Sequence, residues 1–315
     1  MTDPRVARRT FLAAAVAGAA GAAIGASRLA RVASAEPIEA GRRIPTDSPD
    51  RVAVKLGVAS YSLRKFAPDA ALAMIRELRT PYVNLKSVHL PYEWTPPALA
   101  ARRREIEAAG FQIVGGGTIT FANDTDEDVR RYFEYAKAAG MPTIVGTGAP
   151  TVMPRVEKFA REYDIKVAIH NHGTEDKHFP SPYDVLKVVQ HMDPRMGLCI
   201  DIGHTVRTGT DVVRAVRDAG PRLLDMHVKD LRDLKDKESQ CIVGEGALPI
   251  ADIFRALETI RYPGYVNLEY EIDADAPLPG MKQSFAYMRG VLAGLAPARA
   301  KKFTFNDVKQ DVVAD

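Results

Sequence analysis

The sequence predicts an α/β chain closed into a (β/α)8 TIM barrel, and three observations carry that expectation. Eight short β-rich runs alternate with amphipathic helical stretches. The eight units fill about 245 residues, the usual size of such a barrel. No glycine-rich phosphate loop follows the first run, as an open doubly wound sheet would require; Val58-Ala59-Ser60-Tyr61-Ser62 stands there instead.

The strand runs are 54–60, 82–86, 111–116, 143–146, 166–170, 197–201, 223–228 and 265–269. Helical periodicity covers 69–79, 96–109, 125–139, 151–163, 182–191, 210–218 and 249–260, with a last helix over 281–294. Strands that alternate with helices imply parallel βαβ units. Helix ends fall on glycine at Ala109-Gly110 and Ala139-Gly140, where a left-handed residue closes the last turn. Gly115-Gly116-Gly117 matches no phosphate-binding spacing and reads as a tight strand end.

Four segments are expected: an export signal over 1–35, a linker over 36–51, the barrel over 52–296 and a C-terminal tail over 297–315. The first segment has Arg5, Arg8 and Arg9, then an uncharged stretch from Phe11 to Ala26, then Ala33-Ser34-Ala35 for cleavage. Arg8-Arg9-Thr10-Phe11-Leu12 resembles a twin-arginine signal. Export by that route puts the mature protein in the periplasm or elsewhere outside the cytoplasm. No apolar run of spanning length follows residue 35, so no stable membrane anchor is expected after cleavage.

Export changes the charge argument. The whole chain has a formal net charge of +3, but residues 1–35 hold five Arg and one Asp. Removing them leaves −1, which gives no electrostatic case for binding nucleic acid. The two cysteines are Cys199 and Cys241. Cys199 lies in an apolar run and reads as a buried structural thiol.

Strand residues alternate between faces. In a barrel the inward face is apolar or small except at the C-terminal mouth, where function sits. Inward parity selects Asp201 in strand six, and Asp225, His227 and Lys229 in strand seven. It selects Asn267, Glu269 and Glu271 in strand eight, His170 and His172 in strand five, and Asn84 and Lys86 in strand two. Burying that many polar groups is costly unless they have a task. Carboxylates with imidazoles suit a divalent metal such as Mn, Co, Zn or Mg. Asp225 lies deeper and reads as an ion-pair partner of Lys55 or Lys86. Glu271 is expected past the mouth, in solvent. Asp201 is expected to ligate, with capping of the following loop as the alternative. Tyr92 and Trp94 wall the pocket or anchor the loop after strand two.

Residues 52–294 resemble the xylose isomerase-like barrels, which include sugar isomerases and epimerases. The resemblance rests on Cys199-Ile200-Asp201-Ile202-Gly203-His204, on His227-Val228-Lys229-Asp230, and on Tyr265-Val266-Asn267-Leu268-Glu269-Tyr270-Glu271. It implies one divalent ion held by Asp201, His227 and Glu269. The family's fourth ligand is a Glu near strand five, where this chain has His170-Asn171-His172-Gly173-Thr174-Glu175. Glu175 is assigned to that place, with His170 or His172 as the alternatives. Lys86-Ser87-Val88-His89 stands where sugar epimerases often carry an acid.

The resemblance implies proton abstraction beside a sugar carbonyl. Glu269, Glu175 and Lys86 are the expected catalytic groups. His89, His170, His172, His204 and Lys229 are expected to contact substrate. The expected function is a metal-dependent isomerase or epimerase of a free sugar or glycoside. Elimination of the aglycone from a 3-keto-glycoside by a lyase is the second reading, and sugar binding without turnover the third. A DNA repair endonuclease of the same fold is disfavoured by the signal and by the mature charge of −1.

Overall fold

A computed structural model describes residues 54–296. The expected signal over 1–35, the linker over 36–51, the first two residues of the expected barrel and the tail over 297–315 lie outside the described residues. Eight parallel strands close into a barrel: β1 (Lys55–Ala59), β2 (Tyr82–Leu85), β3 (Gln112–Phe121), β4 (Thr143–Gly148), β5 (Lys166–His170), β6 (Met196–Asp201), β7 (Leu223–Val228) and β8 (Tyr265–Leu268). Each pairs with its neighbour in sequence, and β8 returns to β1 through Lys55 opposite Tyr265 and Val58 opposite Leu268. The ring has no free edge, so every strand is paired on both sides.

Helices cover the outside: α1 (Pro68–Glu77), α2 (Pro96–Ala108), α3 (Asp126–Ala139), α4 (Met153–Tyr163), α5 (Pro182–Val189), α6 (Ile202–Arg207), α7 (Val212–Ala219), α8 (Ile250–Thr259) and α9 (Leu278–Leu295). Local sequence explains their bounds. The Thr125 hydroxyl accepts from Asp128 N–H at the start of α3, whose first turn holds three acids and so meets the positive end of the helix dipole. Gly140 closes α3 at φ 71°, a conformation that glycine adopts without strain. None of these helices is long and apolar enough to cross a membrane.

The main core lies between strands and helices and includes Val167, Ile169, Leu198, Ile200, Met226, Val228, Val266 and Leu268. These are the residues that parity turns outward. A separate interior cluster of Val145, Ala168 and Cys199, with Leu224 packed on it, fills the barrel beneath the mouth. Leu224 corrects the parity reading, which turned it toward the helices. Leu198 pairs with Leu223 and Cys199 with Asp225, so a bulge skips Leu224 and re-aims its side chain.

Three further features depart from the sequence reading. The glycine run is not a strand end, since β3 continues to Phe121. At Gly116 a side chain would collide with Met141 and with the carbonyl of Leu85, so neighbouring chains require the missing Cβ. The short α6 follows β6 directly, at Ile202. After β7 the chain forms a small ribbon, with 230–231 antiparallel to 240–241.

Candidate metal centre

Four buried side chains at the mouth, His170, Asp201, His227 and Glu269, bring one ligand atom each to within 4.8 Å of one another. They come from the ends of β5, β6, β7 and β8. His170 Nε2 lies 3.0 Å from His227 Nδ1 and 3.7 Å from Asp201 Oδ2. His227 Nδ1 lies 3.2 Å from Glu269 Oε2. Ligands of a tetrahedral ion at ordinary bond lengths stand about 3.3 Å apart, so the spacing fits one divalent ion. The donor set of two nitrogens and two carboxylate oxygens also fits. So does Asp201 Oδ2, which is buried and, though Lys229 Nζ stands 3.1 Å away in an ion pair, accepts no well-formed hydrogen bond among the described residues.

Asp201 caps α6 with one oxygen and leaves the other placed for a metal. Its Oδ1 accepts from His204 N–H at 2.8 Å and caps α6, while Oδ2 stays turned to the mouth. Neighbours fix its backbone: its N–H donates to Asn171 Oδ1, and its carbonyl accepts from the Thr205 hydroxyl.

The expectation for Glu175 is corrected. Its carboxylate sits on the Arg207 guanidinium, with the side chain 53% exposed, outside the group of four. A loop beginning at Asn171 carries it away from the strand end, and Arg207, whose own side chain is 4% exposed, captures it. His170 occupies the place assigned to Glu175.

His89 is corrected as well. It is buried against Ser60 and Leu63 rather than at the mouth. The Ser60 oxygen accepts from Lys86 N–H, so its hydroxyl hydrogen is free to donate to His89 Nδ1. Nε2–H then donates to Leu63 O. This is a structural histidine, and burial pushes its pKa down.

Asp225 pairs with neither lysine. Its two oxygens accept from the amides of Asn84 and Asn267 at 2.9 and 2.8 Å, and burial raises its pKa to about 6. Lys55 instead reaches Pro263 O. Glu271 is not free in solvent, because Lys229 Nζ donates to it. Tyr92 anchors its loop, with its ring 5.6 Å from Tyr132 and 5.0 Å from Tyr135. Both cysteines are buried free thiols, and burial pushes Cys199 up to about 12.

The remaining predicted residues do surround the centre. Lys229 Nζ lies 3.0 Å from Glu269 Oε2 and 3.1 Å from Asp201 Oδ2. Burial works against its charge, but Asp201, Glu269 and Glu271 outweigh it and hold it protonated. The ring of His172 lies 4.2 Å from that of His170, tilted by 44°. His204 accepts from Arg207 at Nδ1, and burial pushes its pKa down to about 4. It is therefore neutral, with its proton on Nε2. Lys86 lies over the Tyr61 ring, and burial lowers its pKa against the opposing pull of Glu269 and Glu271. Burial also drives His170 to its neutral form. For His227 burial acts the same way, but Cys199 and the facing Glu269 carboxylate together outweigh it and raise its pKa.

Two functional residues had no strand parity to reveal them. Arg207 sits on α6. Asp230 is fully buried and accepts from the N–H groups of Leu231, Gly244, Gly246 and Leu248. It ties the loop after the ribbon to the β7 end. The signal for it was the pair Gly244-Glu245-Gly246, whose glycines let backbone approach a carboxylate.

Comparisons with known proteins agree with this fold. An inosose dehydratase of Bacillus anthracis is 25% identical over 147 residues, 41% of this chain and 47% of that protein. The chain thus spans about half the length of the curated relative it matches. The solved structure of an L-ribulose 3-epimerase superposes with a TM-score of 0.63 at 15% identity, over 79% of this chain and 99% of that one. A protein named IOLI, solved with a bound zinc atom, gives a TM-score of 0.64 at 15% identity over 78% and 100%. At such identities the likeness shows the fold. A family model described as xylose isomerase-like TIM barrel matches residues 77–291, from the end of α1 into α9. With most of the barrel inside that match, the chain belongs to the xylose isomerase-like TIM barrel family.

Proposed function

We propose that this protein is a divalent-metal-dependent enzyme that enolises a sugar and then expels a group from the neighbouring carbon. The observation that carries the proposal is the convergence of His170, Asp201, His227 and Glu269 on one buried point. A divalent ion held there supplies Lewis acidity toward a carbonyl oxygen, worth several kcal/mol in the transition state. Glu269 is the general base for the hydrogen beside that carbonyl. The Nε2–H of neutral His204 and the ammonium of Lys229 offer hydrogen bonds to oxygen that gains negative charge. Lys86, on the β2 side, protonates the departing group.

Displacement of Glu175 favours elimination over epimerisation. Epimerisation needs a base on each face of the substrate, and among the described residues Glu269 is the one carboxylate of the four that can approach carbon once Asp201 has its other oxygen in the α6 cap. Inosose dehydratases among the relatives support the same choice. Isomerisation remains the second reading because burial lowers the pKa of Lys86, which makes its ammonium a readier acid, able to give a proton to the opposite face of the enolised sugar and be left as the neutral amine. Action outside the cytoplasm, on a free sugar or glycoside, belongs to the proposal through the N-terminal segment.

The test is incubation of metal-loaded protein with candidate sugars and 3-keto-glycosides in D2O. Release of aglycone or water supports elimination. Deuterium in an isomerised sugar supports the second reading. Bound metal with neither outcome across the panel refutes both and leaves a sugar-binding barrel.

A further inference from the structure

On the β6–β8 side of the mouth a cavity of about 280 Å³ opens beside Lys229 and Glu271. Its far wall is the excursion after β7, with Lys237 and Glu238. Its size is near the lower end of cavities that hold small ligands, ~300–1,000 Å³.

Three cations line it: Arg207, Lys229 and Lys237. Each already faces a carboxylate. Arg207 holds Glu175, Lys229 holds Glu271, and Lys237 lies 3.5 Å from Glu238. Each cation is already paired, so a phosphate or carboxylate entering the cavity gains little net attraction and meets the carboxylates of Glu238 and Glu271. Hydroxyl groups fare differently, because each pair presents a donor beside an acceptor. One donor also lacks a partner: the buried Nε–H of Arg207 has no acceptor among the described residues. Buried donors are ordinarily satisfied, so the Arg207 head keeps donor capacity that its contacts with Glu175 and His204 leave unused.

We propose that this cavity is a subsite for a neutral polyhydroxylated unit carried next to the reacting ring, so that the substrate is a glycoside or oligosaccharide and not a sugar phosphate. The inference rests on the sugar-enolising reading above and adds the substrate class to it. It also assigns Lys237 and Glu238, which lie outside the metal centre, to recognition of the second unit.

Calorimetric titration of the purified protein tests it. The probes are glucose, fructose and xylose, then maltose, cellobiose and sucrose, then glucose 6-phosphate. At least one disaccharide should bind about tenfold tighter than its own monosaccharides, and the phosphate no tighter than glucose. The double variant Lys237→Ala/Glu238→Ala changes exposed side chains and should weaken that disaccharide about five- to tenfold without touching monosaccharide affinity. Ile272→Trp, which fills the cavity, should do the same. Equal affinity for single and double rings, or a phosphate that binds tightest, overturns the subsite while enolisation in D2O still stands. Failure of every saccharide to bind, together with no exchange in D2O, overturns the enolisation reading itself.

Discussion

Replacing Lys229 by Met should destabilise the metal-free protein strongly and the metal-loaded protein little. The Lys229 side chain is 4% exposed and meets three carboxylates, with Asp201 at 3.1 Å, Glu269 at 3.0 Å and Glu271 in a hydrogen bond. Methionine keeps much of the volume but removes the charge. Asp201 is then left fully buried without its ammonium partner. Breaking a buried pair in this way costs about 3–5 kcal/mol. For a folded body of this size that is a fall in Tm of roughly 6–20 °C. A divalent ion on the same carboxylates supplies the missing positive charge. Glu271 can turn toward water, since its side chain is 35% exposed. The cost with saturating metal should therefore shrink to about 1 kcal/mol, the scale of one lost ion pair with a partly exposed carboxylate. The assay is denaturation of wild type and Lys229→Met in chelator and in excess zinc. An equal loss of stability in both conditions would refute the reasoning, because it would show that metal and ammonium do not answer to the same carboxylates.

Other outcomes follow from the same geometry. Asp201→Ala and His227→Ala should each lose bound metal, by tenfold or more in affinity, whereas Glu175→Ala should keep it; elemental analysis of the purified variants decides. His89 is held neutral, with its native pKa below the unfolded value of about 6.5. It therefore contributes stability that is present above pH 6.5 and lost as pH falls toward the native pKa; His89→Gln should flatten that part of the stability profile, measured by urea unfolding from pH 7 to 5. Asp230→Ala should cost about 3–5 kcal/mol by leaving four backbone N–H groups without their acceptor, read as a shift in urea midpoint. Arg8→Lys/Arg9→Lys should retain the protein in the cytoplasm, which cell fractionation reports; equal export of that variant removes the twin-arginine reading.

The barrel was legible because its evidence is repeated. Alternation of short β-rich runs with 3.6-period stretches recurs eight times, and each strand of the closed ring falls within or overlaps a predicted run. The site was legible where parity holds from strand to mouth, as for Asp201, His227 and Glu269. It failed where geometry leaves the strand. Glu175 is five residues beyond His170, and nothing in its local sequence reveals the arginine on α6 that takes its carboxylate. Leu224 was assigned to the wrong face because one bulge breaks the period of two. His89 was drawn into the substrate list by closeness to Lys86 in sequence, but the turn after β2 faces Lys86 to the mouth and His89 to Ser60. Asp225 illustrates a different limit. A buried acid suggests a cation, yet two asparagine amides stabilise it on neighbouring strands, and asparagine carries no charge pattern to find.

His170 as the proposed fourth ligand, in place of a carboxylate, has a consequence for the choice of metal. As ligands, His170 and His227 are neutral, while Asp201 and Glu269 carry one negative charge each. That set balances a divalent ion without excess charge. Two imidazole nitrogens also favour zinc or cobalt over magnesium, which prefers oxygen and an octahedral shell. Burial already holds His170 in its neutral form, so it is ready to ligate without losing a proton. The other ring nitrogen, Nδ1, has no partner among the described residues, and substitution there breaks no second hydrogen bond. His170→Glu restores the oxygen donor that the family pattern carries and adds a negative charge. Competition between zinc and manganese, read by elemental analysis, should favour zinc in the wild type. The variant should shift that ratio toward manganese by about tenfold or more, a change of roughly 1.4 kcal/mol. His170→Ala separates ligand from bystander: full metal affinity in that variant would mean that His170 is not the fourth ligand, and the argument for zinc or cobalt would fall with it.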